Sequence, residues 1–527
     1  MPDLAEPLLP PALRLGALVV VPAAFLLSLL VAAAIVGAWL RRPIPAAWTE
    51  RARLATSVRL TLMLVTLCFA LAGGIFAWHL ASPLLGTSRA WLGLATGVAA
   101  FAGADLVRLG LERRLRGEAI PALGWYAWKA LWLAIFGAQL VPVLVGGVLA
   151  GDRFDRRAVL VVAATMAIVL ALGTGALWLV LAALGLVRRA SERVCAAVER
   201  ASARTGVRPK AVWTIPTLGV PFANAFALPM LRRIAFTADA VRWLDDDELE
   251  AIAAHELGHV SEPASVIAAR LARSAIYLPL VLLRPLIGVF GPAAALLLPL
   301  VFVVGVRLSA RLARRMEERA DAIAHGRGRG GRHPPHDDEV SPAYARGLEK
   351  LYARNLVPAV MAGKRRVHPD LWDRMVAAGA TPAYPKPAPP RTKGALLVGV
   401  TAGFLGALAL GGFDAWVGAT LERRAASLVA AEARARLDEG AVVEAFRLYD
   451  RARQLDGRAV YSAAMALCEA RFDACLNAAE DLAAVRRTGA DPELAPMLSE
   501  ADRALADCWT RRATSEGPIP LAPDEEE

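Results

Sequence analysis

Cysteine is scarce, and five in 527 residues exclude a small scaffold held together by disulfides. Charge is thin as well: 21% of residues are charged and 56% hydrophobic, a balance that neither a disordered nor a collagen-like chain can have. Acidic residues are outnumbered, 49 against 60 basic ones, for a formal net charge of +11. An excess of that size can mark a nucleic-acid binder, but the arginines sit mostly beside apolar runs, where they face anionic lipid. The charge is therefore read as membrane topology, and no nucleic-acid partner is expected. The composition is that of a protein embedded in a lipid bilayer.

A helix needs about 20 apolar residues to cross a hydrocarbon core roughly 30 Å thick. Runs at 15–40, 60–80, 130–149 and 158–187 meet this; the run 90–107 is shorter, rich in Gly and Ala and carries Asp105, but is counted as a span, and a last one lies at 395–417. The first is too long, and its Asp3 and Glu6 flank too acidic, for a cleaved signal peptide, so it is expected to stay as an anchor. With five spans before Arg188, the loops 41–59 and 108–124 share a side and carry five and four arginines, which makes that side cytoplasmic. The polar stretch from Arg188 then lies in the cytosol, and the last span carries the C-terminus outward.

After Arg188 the pattern turns to a soluble α+β segment, with short strands at 211–215 and 234–237 and Asn224-Ala225-Phe226-Ala227-Leu228 between them. Asp245 and Glu248 have the spacing of a capping box at the start of a helix that Pro263 ends. That helix carries His255-Glu256-Leu257-Gly258-His259. Histidines at i and i+4 share a helical face about 5 to 6 Å apart at Cβ, which suits two nitrogens reaching one Zn²⁺. Glu256 can accept a proton from an attacking water without ligating the metal. Chance gives roughly 0.005 occurrences of this pattern in a chain of this composition. The plain alternative is a pair of structural histidines flanking a glutamate.

A catalytic zinc site takes three protein ligands, so another is required. Glu317 supplies a carboxylate about sixty residues on, and Asp321, one turn later on the same face, is placed to receive the free ring N–H of a ligand histidine. Together, Asn224-Ala225-Phe226-Ala227, His255-Glu256-Leu257-Gly258-His259-Val260 and Glu317-Glu318-Arg319-Ala320-Asp321 resemble the membrane zinc peptidases of the HtpX and CAAX-prenyl-protease type, metallopeptidase family 48. The resemblance covers about residues 190–330. It implies a gluzincin core with one Zn²⁺ on His255, His259 and Glu317, Glu256 as general base, and Asp321 behind a ligand histidine. It also implies that Asn224, Ala225, Phe226 and Ala227 form an edge strand pairing with extended substrate. The family's Ser-Arg before the third ligand is Ala313-Arg314 here. His325, two turns beyond Glu317, is a candidate oxyanion stabiliser, with a plain surface histidine as its alternative.

The apolar segment 275–306 would be about 48 Å long as one straight helix and would cross the bilayer once. Glu317 would then lie on the opposite side from the histidines, so the segment is expected to return, as a short helical hairpin turning near Gly291-Pro292 or as a re-entrant pair. The active site is therefore expected at the membrane surface. The loop 326–338 contains His333 and His336, which read as solvated. Around Tyr449 the sequence resembles the second helix of a tetratricopeptide repeat, with small residues at Ala445 and Ala452; this reads either as a docking module for a protein partner or as a structural cap. Cys468, Cys475 and Cys508 fall in this tail, where one disulfide can form outside the cytoplasm.

The expected protein is mostly α: a multi-span integral membrane protein with an α+β gluzincin peptidase domain and a tetratricopeptide-like helical-repeat tail. Residues 1–187 form the N-terminal transmembrane region, 188–270 and 309–380 the peptidase, 271–308 an inserted membrane hairpin, and 381–393 a Pro-rich linker. The last transmembrane helix is 394–418, the tail 419–512, and 513–527 a disordered acidic end. The expected activity is zinc-dependent hydrolysis of membrane or misfolded proteins in a bacterial inner membrane, with the site on the cytoplasmic side. A catalytically silent scaffold acting through its tail is the alternative.

Overall fold

The computed structural model describes residues 18–41, 43–85, 89–151, 153–291, 293–294, 297–325, 342–362, 369–488 and 494–515. His333, His336 and the acidic end beyond residue 515 lie outside the described residues.

Helices α1 (Val20–Trp39), α2 (Trp48–Leu85) and α3 (Arg89–Arg116) come first in the chain. Next come α4 (Ala122–Gly137) and α5 (Leu140–Leu149), which meet at a bend of 58°. The bend has a local cause, because Pro142 has no N–H for the Ala138 carbonyl and its ring crowds that oxygen. Helix α6 (Arg156–Gly173) starts on the Asp155 carboxylate, which accepts the Ala158 N–H. It stops before Gly175, at φ +93°, where α7 (Ala176–Ala183) begins. The single spans expected at 130–149 and 158–187 are thus each two helices. Among the described residues, five helices are long and apolar enough to cross a membrane, or six if the bent pair is one span.

A four-stranded sheet follows. Its elements are β1 (Arg188–Arg189), α8 (Glu192–Thr205), β2 (Ala211–Ile215), β3 (Ala225–Leu228), β4 (Arg233–Thr237), α9 (Ala238–Trp243) and α10 (Asp246–Val260). The strand order is β1-β2-β4-β3, with β2 parallel and β3 antiparallel to β4, so β3 is an edge. Both faces are covered, as the period of two allows. Val212, Ala225, Ala227, Ile234 and Phe236 pack into one core with Leu249, Leu257 and Tyr344. Trp213, Ile215, Phe226, Leu228 and Ala235 pack into the other, with Trp125, Trp128 and Trp178.

Beyond α10 the chain forms α11 (Ala264–Ala272), a 3₁₀ turn at Arg273–Tyr277, α12 (Leu278–Val281) and α13 (Leu283–Phe290). Gly291 turns it at φ +72°, and α14 (Leu297–Ala324) leads to Glu317. The expected edge of the hairpin at 308 falls inside α14, which runs on without a break. Helices α15 (Pro342–Asn355) and α16 (Leu371–Ala377) complete this part. Along the Pro-rich stretch 381–391, Tyr384 meets Trp48 edge-on at 5.6 Å.

The final helices are α17 (Thr392–Asp438), α18 (Val442–Asp456), α19 (Ala459–Arg471), α20 (Cys475–Arg487) and α21 (Leu494–Ser515). The boundary expected at 418 lies within α17. No glycine or proline follows Gly418 until Gly440, and the alanines, leucines and arginines between them are strong helix formers.

The described chain forms two compact units, one of Met1–Ile35, Leu62–Val107 and Leu397–Glu527, the other of Val36–Thr61 and Arg108–Leu396. In the first, glycines let helices approach closely, as at Gly103 against the Phe25 carbonyl and Gly406 against the Phe69 ring. Its tail packs Ala445, Tyr449, Ala452 and Leu455 of α18 against Ala464, Leu467 and Cys468 of α19. A disulfide joins Cys475 on α20 to Cys508 on α21, and Cys468 is a buried free thiol. The second unit holds the sheet, α10 and everything described below.

Candidate metal centre

Helix α10 is set by its first turn. The Asp245 carboxylate accepts the Glu248 N–H at 2.9 Å, and the Glu248 carboxylate accepts the Asp245 N–H at 3.0 Å. Glu248 is buried and also holds Lys350 of α15 at 2.6 Å, which ties the helix start to a neighbour. The helix is buried almost throughout its length. Gly258 is central to that packing, because a Cβ there would lie 2.9 Å from the Ala320 Cα and 3.2 Å from its Cβ. The pair of small residues lets α10 and α14 approach closely enough for a carboxylate on one to face imidazoles on the other.

His255, His259 and Glu317 come together, their ligand atoms all within 4.8 Å of one another. The Nε2 atoms face the same carboxylate: His255 Nε2 is 3.6 Å from Glu317 Oε2, and His259 Nε2 is 3.3 Å from Glu317 Oε1. Each Nδ1 is engaged from behind. His255 Nδ1 lies 3.1 Å from Asp321 Oδ1 and 2.9 Å from the Tyr344 hydroxyl. His259 Nδ1 lies 3.0 Å from Glu262 Oε1. A carboxylate on Nδ1 fixes the proton there and leaves the Nε2 lone pair for a metal.

Those carboxylates are themselves held. Arg374 donates to Asp321 at 2.9 and 2.6 Å and to the Tyr344 hydroxyl at 2.6 Å, while that hydroxyl donates to Asp321 at 2.6 Å. Arg270 donates to Glu262 at 2.7 and 2.5 Å. Burial alone would raise the Asp321 carboxyl, but the His255 hydrogen bond and the Arg374 charge hold it well below the usual range. For His259, burial disfavours the cation, yet hydrogen bonds to Glu262 and Glu317 and the charge of Glu256 raise its pKa to about 10. The site is thus electrostatically built for a cation, and two imidazoles with one carboxylate suit a borderline ion such as Zn²⁺.

The cluster opens on a cavity of about 910 Å³. Glu256 lines it, as do Asn224, Ala225, Phe226 and Ala227. Asn224 precedes β3, and its N–H is held by the Thr237 hydroxyl at 2.9 Å. Asn355 clamps the same entry, accepting the Ala223 N–H at 3.0 Å and donating to its carbonyl at 2.6 Å.

Residues 188–376 match the sequence model of peptidase family M48. The match starts at β1 and ends in α16, so the M48 region takes in the sheet, the His-Glu cluster and Arg374. It supports a metallopeptidase. No curated protein matches the chain.

His325, the candidate oxyanion stabiliser, is buried rather than on the surface, and meets the Tyr344 ring edge-on at 5.1 Å. Tyr352 and Arg374 line the cavity. Sequence reasoning also missed Glu262, Tyr344, Arg374 and Gly258. Glu262 could have been found, since it stands three residues after His259, just past the end of the helix and before Pro263. Tyr344 and Arg374 follow chain segments with no motif to mark them.

Proposed function

We propose that the chain is a membrane-embedded zinc endopeptidase of the HtpX and CAAX-prenyl-protease type, hydrolysing membrane or misfolded proteins in quality control or processing. The observation that carries this is the convergence of two Nε2 atoms on the Glu317 carboxylate, with Glu256 in the wall of the same cavity. His255, His259 and Glu317 would hold one Zn²⁺, which when bound acidifies water and polarises the scissile carbonyl. Glu256 accepts the proton of the attacking water and returns it to the leaving amine. Asp321, Tyr344 and Glu262 hold the imidazole tautomers through that cycle. Extended substrate adds to the free edge of β3, which brings its backbone alongside α10.

The helices that can cross a bilayer support substrates that are membrane proteins or their exposed ends. In this reading the peptidase site faces the cytoplasm of a bacterial inner membrane, and the helical tail, of tetratricopeptide type, lies outside and docks a protein partner. The Cys475–Cys508 bond supports the placement of the tail, because disulfides persist in oxidising compartments.

The test is zinc content and turnover of purified protein, wild type against Glu256→Gln. About one zinc per chain in both is expected, with turnover of an unfolded protein lowered about 10²- to 10⁴-fold in the variant. Equal turnover in the two, or no zinc in the wild type, rejects the assignment.

A further inference from the structure

The cavity holds more than the metal cluster. On α4, Trp125, Trp128, Lys129 and Trp132 stand at i, i+3, i+4 and i+7, which is one helical face, and all four line it. Trp132 meets Phe226 of the edge strand at 5.3 Å and Phe222 at 5.5 Å, and Trp128 meets Phe222 at 5.3 Å. Trp128 is buried in this aromatic wall, whereas Trp132, Phe222 and Phe226 are half-buried and offer surface to the cavity. Lys129 sits among these rings, its Nζ 4.6 Å from the centre of Trp125.

The same cavity is lined by Arg59, Arg108 and Arg116, with Glu112 as their one lining carboxylate. Glu112 takes both Arg59, at 2.6 Å, and Arg116, at 3.1 Å. Counting Lys129, this part of the wall presents four cations and one carboxylate. Of the remaining charged groups of the lining, Arg270 pairs with Glu262, Arg374 pairs with Asp321, Glu317 faces the two histidines, and Glu256 lines the same cavity.

We propose that this part of the cleft is a selectivity subsite for an extended peptide in which a bulky apolar side chain accompanies a carboxylate. The proposal rests on the peptidase reading above. Substrate paired on β3 presents alternate side chains to the face that carries Phe226, so a large apolar residue meets Trp132 and Phe222. A carboxylate nearby meets Lys129 and the arginines, where the low dielectric of an aromatic-lined wall strengthens the attraction. That carboxylate is either an Asp or Glu side chain or a free C-terminus. Basic segments are disfavoured at the same place, which is selection by repulsion.

The test uses the zinc-loaded full chain in detergent and quenched-fluorescent octapeptides of one apolar core. One peptide carries an internal Asp and an amidated end, one a free C-terminus without Asp, and one Lys in place of Asp with an amidated end. Wild type should cleave at least one of the carboxylate peptides about tenfold more efficiently, by kcat/KM, than the Lys peptide. Which one it prefers identifies the source of the carboxylate. Lys129→Glu should remove or reverse that ratio, and Trp132→Ala should reduce the preference for Phe over Ala in the core. Each ratio is internal to one preparation, so a loss of folded protein cannot imitate it. Cleavage of all three peptides within twofold of one another overturns the subsite and leaves the peptidase standing, as does an unchanged ratio in Lys129→Glu. No cleavage of any peptide by zinc-loaded wild type overturns the peptidase reading and the subsite with it.

Discussion

Glu262 is the most informative side chain to perturb, because it acts on a proposed ligand without being one. Its carboxylate is buried, with 1% of the side chain exposed, and it serves two donors: His259 Nδ1 at 3.0 Å and the Arg270 guanidinium at 2.5 to 2.7 Å. Glu262→Gln keeps the shape and removes one acceptor. An amide oxygen in the Oε1 position can still take His259 and one Arg270 N–H, but the NH₂ group then meets the Arg270 Nε–H, so one of the three hydrogen bonds is lost. Arg270 keeps 36% of its side chain exposed and can rehydrate, which limits the cost to folding to roughly 1 to 3 kcal/mol. The larger effect is on the metal. A ligand histidine that loses its carboxylate partner typically loses about 10- to 100-fold in metal affinity, or roughly 1.4 to 2.7 kcal/mol. Competition with a fluorescent zinc chelator measures this directly, with thermal melting of the metal-free protein alongside. A zinc Kd within twofold of wild type would refute the reasoning, whatever the melting temperature does, because Glu262 would then be structural only.

Gly258→Val should drive β-carbons into Ala320, separate α10 from α14, and lower both stability, by about 1 to 3 kcal/mol, and zinc affinity; zinc affinity equal to wild type refutes the close-approach argument. In the metal-free protein, His259 is raised to about 10 from 6.5, so its stabilising effect is complete below pH 6.5 and fades as pH rises through about 10. Asp321 and Glu262 are lowered from 3.8 and 4.5, so their effect is present above those values and is lost on acidification. Melting of the metal-free protein should therefore be highest between about pH 5 and 6.5, and zinc should bind more tightly as pH rises above 6.5, because binding must displace a proton from His259. A zinc Kd independent of pH across that range contradicts this. Cys508→Ala should destabilise the tail by roughly 3 to 4 kcal/mol, the entropy of a loop spanning 33 residues, and thiol labelling of unreduced protein should find Cys475 blocked in wild type.

The parts of the molecule that could be read from the chain are those whose physics is local. The capping box at Asp245, the i, i+4 imidazoles and the Glu317–Asp321 spacing each need only one helix, and the structure places all of them on helices at one site. The bend between α4 and α5 was local too, since Pro142 disrupts the turn around Ala138, but continuous hydrophobicity masked it, and Gly175 was masked in the same way. What could not be read depends on distant segments. Tyr344 lies 89 residues from the histidine it touches, and Arg374 lies 53 residues from Asp321. Neither side chain has a pattern of its own, because a single tyrosine or arginine in a helix carries no local mark of the distant partner it meets. Yet these residues are the ones that engage the Nδ1 side of His255 and leave its Nε2 facing Glu317. The motif supplies the donor atoms, and the long-range network makes them usable. A substitution far from the histidines in sequence can therefore abolish metal binding while every residue of the motif stays in place.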